Sequence, residues 1–338
     1  MTHEFKNIIL QAKSNQQNGL KNVLATVVFL KGSSYRKPGV RMLIAENGKT
    51  VGAVSGGCIE NEIVRRAQSV FKSDKAKVMT YDGRYRLGCE GILYILLEPF
   101  YVSDKLLKAF FECNAERTTF QIASFYKKED ESIGNFGSVI QFEAKANFTF
   151  SKKFNSNSTE NSERFSQTLQ PCFKLLIIGG EHDAVKLCAM ASLLGWEVEV
   201  ITSIKDPKEL SDFPGAKHVS AQTPETVELK IDSETAVVLM THNYVRDLKF
   251  LLKLEPLNST YIGIIGSAKR REQLQNELLH YAPDLSESFL NQIHSPAGLH
   301  IGAITPEEIA LSILSEILSV FRQTQPIPLK NITGKIHK

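Results

Sequence analysis

Several features that would narrow the function of a protein at once are missing from this sequence. It has no run of 18 apolar residues and no N-terminal apolar segment with a cleavage site, so we expect neither a transmembrane helix nor a secretory signal, and predict a cytoplasmic protein. It also lacks long runs of Lys or Arg, and its formal net charge is only +3. This charge pattern predicts no binding to nucleic acid or to a membrane surface.

Cysteine is scarce and widely spaced. The number of cysteines is odd, and no two of them form a CxxC pair. We therefore expect neither a disulfide framework nor a structural zinc site, although individual thiols can still be reactive or buried. The five cysteines are Cys58, Cys89, Cys113, Cys172 and Cys188.

The composition that remains is that of an ordinary globular protein, with 42% hydrophobic and 23% charged residues in a chain of 338. This length favours two domains. Residues 151–171 are rich in Ser and Asn and poor in large apolar side chains, which is typical of a linker or an exposed loop. We therefore predict an N-terminal domain over 1–150, a linker over 151–171 and a C-terminal domain over 172–338.

The first domain is predicted to be a compact α/β unit. Residues 23–30 are apolar and β-branched, as expected of a strand buried on both faces, and the run ILYILLEP indicates a second core strand. Between them, ENGK is typical of a hairpin turn, and the apolar spacing over 59–71 predicts a helix.

The second domain is predicted to be Rossmann-like, with a doubly wound parallel sheet. Apolar strands over 173–178, 195–201, 236–240 and 261–265 alternate with helical segments. A last helix is expected from about Pro306, with Thr305 as its N-cap and a glutamate in the capping-box position.

The turn after the first of these strands resembles a dinucleotide-binding fingerprint only in part. Gly179 and Ala184 fit its outer positions and Gly180 lies between them, but Glu181 stands where a small glycine should let backbone approach phosphate. The second strand also ends at Thr202, without the acidic residue that binds a ribose hydroxyl. We expect a scaffold that does not bind a dinucleotide in the usual way, with NAD(P) binding as the alternative.

Two further segments lie where strands of this sheet should end. One carries His242, and the other places Gly266 and Ser267 before a helix with basic side chains. Ligands of open α/β sheets bind at the carboxyl ends of strands, so both segments are candidate contacts for phosphate or carboxylate. The alternatives are a loop histidine bonded to backbone and a solvated helix face.

The first domain concentrates hydroxyl groups, cations and glycines in loops, which suits an anionic ligand. Cys58 would lie in the first turn of a helix, where the helix dipole and nearby cations lower a thiol pKa. The alternative for Cys58, and for Cys89 in a second glycine-containing loop, is a small hydrophobic residue packed where glycines bring backbone segments close together. The residues predicted for this site are Ser34, Arg36, Arg41, Gly56, Gly57, Cys58, Glu60 and Cys89.

Taken together, these segments resemble the XdhC/CoxI family, the accessory proteins of molybdenum hydroxylases. The matching stretches are GSSYRKPGVRMLI, GAVSGGCIE, LGCEG, LLIIGGEHDA, LGWEVEV, THN, YIGIIGS and GLHIGAITPEEIALSILSEI. They span nearly the whole chain outside the predicted linker. Two positions depart from the usual pattern: Glu181 in the third position of the fingerprint, and Glu90 where a glycine is usual.

The resemblance implies a function. Members of the family bind molybdenum cofactor, a pterin with a phosphate and a dithiolene, hold it during sulfuration and pass it to an apo-hydroxylase such as xanthine dehydrogenase. It thus implies a cofactor-insertion chaperone rather than a turnover enzyme. The partners it implies are a cysteine desulfurase, a molybdenum hydroxylase and a second copy of the chain in a homodimer. Cys58 would then face the metal or relay sulfur. The competing hypotheses are an NAD(P)-dependent oxidoreductase and a pure docking scaffold.

Overall fold

In a computed structural model of the chain, the structure describes residues 1–32, 37–55, 57, 59–83, 91–143, 147–257 and 259–333. The chain divides into two units between Pro171 and Cys172. Both units combine helices with sheets, which confirms the predicted α/β class. Among the described residues, no helix combines the length and apolar character that a membrane crossing requires.

The first unit contains three helices and nine strands in its described residues. The helices are α1 (Thr2–Gln17), α2 (Glu60–Ser73) and α3 (Asp104–Glu116). The strands are β1 (Asn22–Lys31), β2 (Arg41–Ala45), β3 (Thr50–Gly52), β4 (Lys77–Asp82), β5 (Ile92–Pro99), β6 (Phe120–Tyr126), β7 (Gly137–Phe142), β8 (Asn147–Thr149) and β9 (Glu163–Leu169).

These strands form two antiparallel sheets, in the orders β3-β2-β1-β5-β4 and β8-β7-β6-β9. As predicted, β1 is buried on both faces. Leu24 packs in one cluster with residues of α1, α3 and the second sheet, whereas Val23 and Ala25 pack with α2. This alternation follows from the two-residue period of a strand, and it places the five-stranded sheet at the centre of the unit.

The structure differs from the predicted linker over 151–171. Residues 163–169 form β9, which pairs antiparallel with β6 from Phe120↔Leu169 to Tyr126↔Glu163. This strand lies at a sheet edge, and most of its side chains are exposed or half-buried. An edge strand of this kind needs only backbone pairing and one partly covered face, so its polar composition resembles that of a loop.

The second unit contains five α-helices and six strands in its described residues. The helices are α4 (His182–Leu193), α5 (Tyr244–Leu254), α6 (Ala268–Tyr281), α7 (Glu287–Asn291) and α8 (Pro306–Phe321). The strands are β10 (Lys174–Ile178), β11 (Glu197–Thr202), β12 (Ala216–Ala221), β13 (Thr235–Leu239), β14 (Tyr261–Ile264) and β15 (Ile293–His294).

All six strands are parallel, in the order β12-β11-β10-β13-β14-β15. This is the Rossmann order, in which the chain reverses direction across the sheet between its first and fourth strands. Alternate residues of β10 face opposite layers: Leu175 and Ile177 pack with α4 and α8, and Leu176 and Ile178 pack with α5 and α6. The predicted doubly wound sheet is confirmed.

Gly179 sits at the point of reversal and allows β10 to end against β13. Its φ is +154°, and a Cβ built there would lie 2.3 Å from the carbonyl oxygen of Met240. No side chain fits this close approach. The first glycine of the turn is therefore required by the packing of the two strands, whatever the turn binds.

We predict that Gly179→Ala destabilises the second unit by about 3 kcal/mol or more, because strain and a backbone clash add. Gly302→Ala is the matched control: its φ is +76°, but nothing lies within 4 Å of a Cβ built there, so the cost should be roughly 1 kcal/mol. Urea unfolding followed by Trp196 fluorescence reports this unit alone, since the chain has one tryptophan. Equal losses in the two variants would contradict the packing role.

Candidate functional site

The register of the five-stranded sheet places three loops at one end of it. Lys31 at the end of β1 and Asp82 at the end of β4 both pair with Ile92 at the start of β5. Gly52 at the end of β3 pairs with Met42 near the start of β2. The loops 32–40, 53–59 and 83–91 therefore leave the sheet at the same end. The sequence-predicted residues Ser34, Arg36, Gly56, Cys58 and Cys89 belong to these loops and lie outside the described residues.

Glu60 holds the loop that precedes α2 in place through two hydrogen bonds. Its carboxylate accepts hydrogen bonds from the backbone N–H groups of Ser55 (2.7 Å) and Gly57 (2.9 Å). Gly57 is one of the residues that the sequence predicted for an anionic ligand. A negative charge is favourable at a helix N-terminus, and at the start of α2 the carboxylate of Glu60 provides it. In this arrangement Glu60 positions the loop.

Arg41 lies inside the first unit, with 7% of its surface exposed. Its Nη1 donates to the carbonyl oxygen of Gly39 (2.9 Å) and to Oε1 of Gln167 on β9 (2.7 Å), and its guanidinium lies 5.5 Å from the ring centre of Phe5. Within the described part of the chain, its Nε and Nη2 make no hydrogen bond. Arg41 therefore fixes the end of the 32–40 loop through a hydrogen bond made inside the unit.

A buried carboxylate that was not predicted from the sequence interacts electrostatically with this arginine. Glu98 on β5 is fully buried and accepts from the backbone N–H (2.8 Å) and the hydroxyl (2.6 Å) of Ser138. Burial raises its pKa to about 7, against the opposing effects of Ser138 and Arg41. Burial also lowers the pKa of Arg41 to about 10, so the guanidinium stays charged at neutral pH. In the sequence, the indication of this buried carboxylate was that Glu98 is the one acidic residue within the apolar run ILYILLEP.

In the second unit, Gly180 and Glu181 lead into α4. Glu181 is the N-cap residue of α4, makes no side-chain capping bond and is exposed. A dinucleotide pyrophosphate binds at this helix end in Rossmann proteins, and a carboxylate there opposes it.

The last residue of β11, Thr202, has no carboxylate with which to bind a ribose hydroxyl. Thr202 is fully buried, and its hydroxyl accepts from the N–H of Lys208 (3.4 Å). Its carbonyl oxygen accepts from Nη2 of Arg246 (2.8 Å), which also binds the carbonyl of Gln222 beyond β12 (3.0 Å). Arg246 thus joins the ends of two strands from within the protein.

His242 lies in the turn between β13 and α5. It is exposed and adopts a left-handed backbone conformation with φ +52°. The turn around it is fixed by Thr241, whose hydroxyl lies 2.5 Å from Oδ1 of Asp247 and accepts from the N–H of Asn243 (3.1 Å). A non-glycine residue in this conformation is uncommon and is maintained here by its neighbours.

Gly266 and Ser267 lie in the turn between β14 and α6. Ser267 caps α6, and a Cβ at Gly266 would lie 2.7 Å from Cδ of Arg270. Arg270 in turn forms an ion pair of 2.5 Å with Asp247, which is fully buried. Burial raises the pKa of Asp247, against the opposing effects of Thr241 and Arg270. The Asp247–Arg270 pair therefore connects the two turns that the sequence predicted at this edge.

Comparison with known proteins covers both units. Residues 175–317 match the family model of the XdhC Rossmann domain, and residues 16–82 match that of the XdhC and CoxI family. A protein of Bacillus subtilis (strain 168), named as a probable subunit of xanthine dehydrogenase, is 28% identical over 315 residues, across 88% of this chain and 92% of its own length.

Two further relatives extend over almost the whole chain. The molybdenum cofactor insertion chaperone PaoD of Escherichia coli (strain K12) is 23% identical over 325 residues, across 95% of this chain and 90% of its own length. A crystal structure described as a xanthine dehydrogenase from Bacillus halodurans superposes with a TM-score of 0.76 and 26% identity, across 94% of this chain and 96% of that one. The similarity therefore extends over both halves of the sequence.

We predict that Glu98 makes the first unit less stable as the pH rises. Its pKa is raised on folding, so its favourable contribution is complete below about pH 4.5 and is lost by about pH 7, a change on the order of 3 kcal/mol. Glu98→Gln should flatten this dependence. The measurement is calorimetric unfolding across this range, with Trp196 fluorescence marking the transition of the second unit. Parallel pH curves for both proteins would show that Glu98 does not titrate in this way.

We predict that Arg270→Met destabilises the second unit by about 3 kcal/mol at neutral pH, because it leaves the buried Asp247 without its cation. The loss should be smaller in mild acid, because burial raises the pKa of Asp247 and its protonation removes the unpaired charge. The neighbouring Arg271 is exposed, so Arg271→Met is a charge-matched control with little effect. The measurement is urea unfolding followed by Trp196 fluorescence. Similar losses of stability in the two variants would refute the role of the Asp247–Arg270 pair.

Proposed function

This chain belongs to the XdhC and CoxI family, and on that premise we propose that it is an accessory protein that binds molybdenum cofactor and assists its insertion into a molybdenum hydroxylase such as xanthine dehydrogenase. The observation that carries the proposal is the similarity to a molybdenum cofactor insertion chaperone over 95% of the chain. The similarity to proteins named for xanthine dehydrogenase supports the class of client.

The cofactor is proposed to bind where the loops 32–40, 53–59 and 83–91 leave the five-stranded sheet. Its phosphate and dithiolene suit the hydroxyl groups, cations, glycines and thiols that these loops carry in the sequence. The residues proposed to contact it are Ser34, Arg36, Gly56, Cys58 and Cys89.

The described residues around these loops fit a positioning role. The Arg41 guanidinium is engaged inside the unit, and the amides of Ser55 and Gly57 are occupied by Glu60. In this arrangement Nη1 of Arg41 and both amides already have partners within the unit, whereas Nε and Nη2 of Arg41 have none among the described residues. Arg41 and Glu60 would therefore fix the ends of two loops, and the loops would bind the cofactor.

Finer parts of the proposal concern sulfur and partners. We propose that Cys58 contacts the metal or carries sulfur during sulfuration of the cofactor, with a cysteine desulfurase as the sulfur donor. The protein is further proposed to act in the cytoplasm as a homodimer.

An NAD(P)-dependent oxidoreductase is the weaker candidate. The exposed carboxylate of Glu181 lies where a pyrophosphate would bind, and the buried Thr202 replaces the ribose-binding acid. A calorimetric titration of the protein with NAD(P) should therefore give no binding heat, and micromolar binding would favour the oxidoreductase.

We predict that the purified full-length protein retains molybdenum cofactor released from a donor enzyme, measured as molybdenum and as oxidised pterin fluorescence after gel filtration. Cys58→Ala should weaken retention about tenfold, equal to about 1.4 kcal/mol. Cys188→Ala is the matched control, since Cys188 is buried in the second unit and burial raises its pKa to about 11. The proposal fails if wild-type protein retains neither metal nor pterin.

A further inference from the structure

The last long helix of the second unit has one face that the rest of the described chain leaves uncovered. Its inner face packs into the core through Ala310, Ile313, Leu314 and Ile317. On its outer face, Leu311 is 50% and Leu318 is 42% exposed, and Ile304, just before the helix, is 84% exposed. Leu311 and Leu318 are seven residues apart, so they lie on the same side of the helix.

The outer face forms a single seam. Residues 308, 311, 315, 318 and 322 follow one another at alternating intervals of three and four, the spacing with which one helix contacts another. The seam begins with a glutamate and ends with an arginine, has a serine at its centre and has a leucine on either side of that serine. We call these five residues the α8 seam: Glu308, Leu311, Ser315, Leu318 and Arg322.

The α8 seam is complementary to itself when it is reversed. If two copies cross antiparallel at Ser315, Leu311 of one lies opposite Leu318 of the other, and Glu308 lies opposite Arg322. Each of these pairs then occurs twice, once on each side of the crossing. This reciprocal pairing is what a two-fold symmetric interface between identical chains requires.

The polar groups of the α8 seam suit such a contact. The Ser315 hydroxyl already donates to the carbonyl oxygen of Leu311 (2.8 Å), so burial leaves no unpaired donor at the centre. Glu308 uses Oε2 to accept from the backbone N–H groups of Ile304 (2.8 Å) and Thr305 (3.0 Å). Its Oε1 makes no hydrogen bond among the described residues. Arg322 forms no ion pair there, and its guanidinium lies 5.1 Å from the ring centre of Phe321. A carboxylate oxygen and a guanidinium without a carboxylate partner thus lie at opposite ends of the seam.

We propose that α8 forms the two-fold interface between two copies of this chain, with the helices antiparallel and crossing at Ser315. The inference rests on the homodimer in the proposed function and adds the surface and the geometry. Opposite charges at equal distances from a small central residue pair fully when the partner is a second antiparallel copy. An unrelated partner would have no reason to match that spacing. The test measures assembly alone, so its failure is distinguishable from a failure of cofactor binding.

The first experiment is sedimentation equilibrium of the full-length protein without cofactor. We expect wild type at twice the chain mass of 37.8 kDa, and the double variant Leu311→Glu, Leu318→Glu at the mass of one chain. Val245→Glu is the control: Val245 is 60% exposed on α5, on the opposite face of the sheet, and the variant should remain dimeric. A monomeric wild type, or a double variant that stays dimeric, would overturn the proposal.

The second experiment tests the direction of the helices with nearly neutral substitutions. Ser315→Cys should form a disulfide between copies under mild oxidation, beyond the background of wild type. Leu311→Cys should not, because antiparallel crossing at Ser315 separates the two 311 positions by about 12 Å along the helix axis. Cross-linking of Leu311→Cys as rapid as that of Ser315→Cys would indicate parallel helices and refute the geometry, as would a failure of Ser315→Cys to cross-link.

Discussion

The first unit depends on the antiparallel register of its central sheet. The last residues of β1 and β4, Lys31 and Asp82, both pair with Ile92, the first residue of β5. β3 ends beside the start of β2. Three separate loops therefore leave the sheet at the same end. Two loops are then fixed at their described ends by charged side chains, Arg41 from inside the unit and Glu60 at the start of α2. Sites built this way are positioned by rigid elements beneath them, which suits the capture of a bulky anionic cofactor.

The sequence predicted the elements of this unit better than the roles of its side chains. Apolar runs such as β1 and ILYILLEP identify buried strands directly, since burial on both faces leaves little choice of residue. β9 was missed because an exposed edge strand has a polar composition, and the same omission concealed Gln167, the β9 residue that binds Arg41. Without that partner, nothing in the sequence indicates that this arginine, next to a glycine-rich loop, is buried and bonded to β9.

The doubly wound sheet of the second unit was predicted from four of its six strands, without β12 and β15. The side chains of this unit explain why the fold does not determine the function. Gly179 is needed where β10 ends against β13, so part of the fingerprint reflects packing. The exposed Glu181 and buried Thr202 remove the usual dinucleotide contacts, while the Asp247–Arg270 pair stabilises the turns that carry His242 and Ser267. The pairing of Asp247 with Arg270 could not be read from the sequence, because it depends on which helices become neighbours around the sheet.

Binding of the cofactor at the loop end of the first unit is tested most directly by amide hydrogen exchange of the full-length protein, with and without molybdenum cofactor. We expect the cofactor to slow exchange in the loops 32–40, 53–59 and 83–91 together, and to leave the turns at 179–184 and 241–243 unchanged. Slower exchange only in those turns of the second unit, or no slowing in the three loops of the first unit, would contradict binding at the loop end.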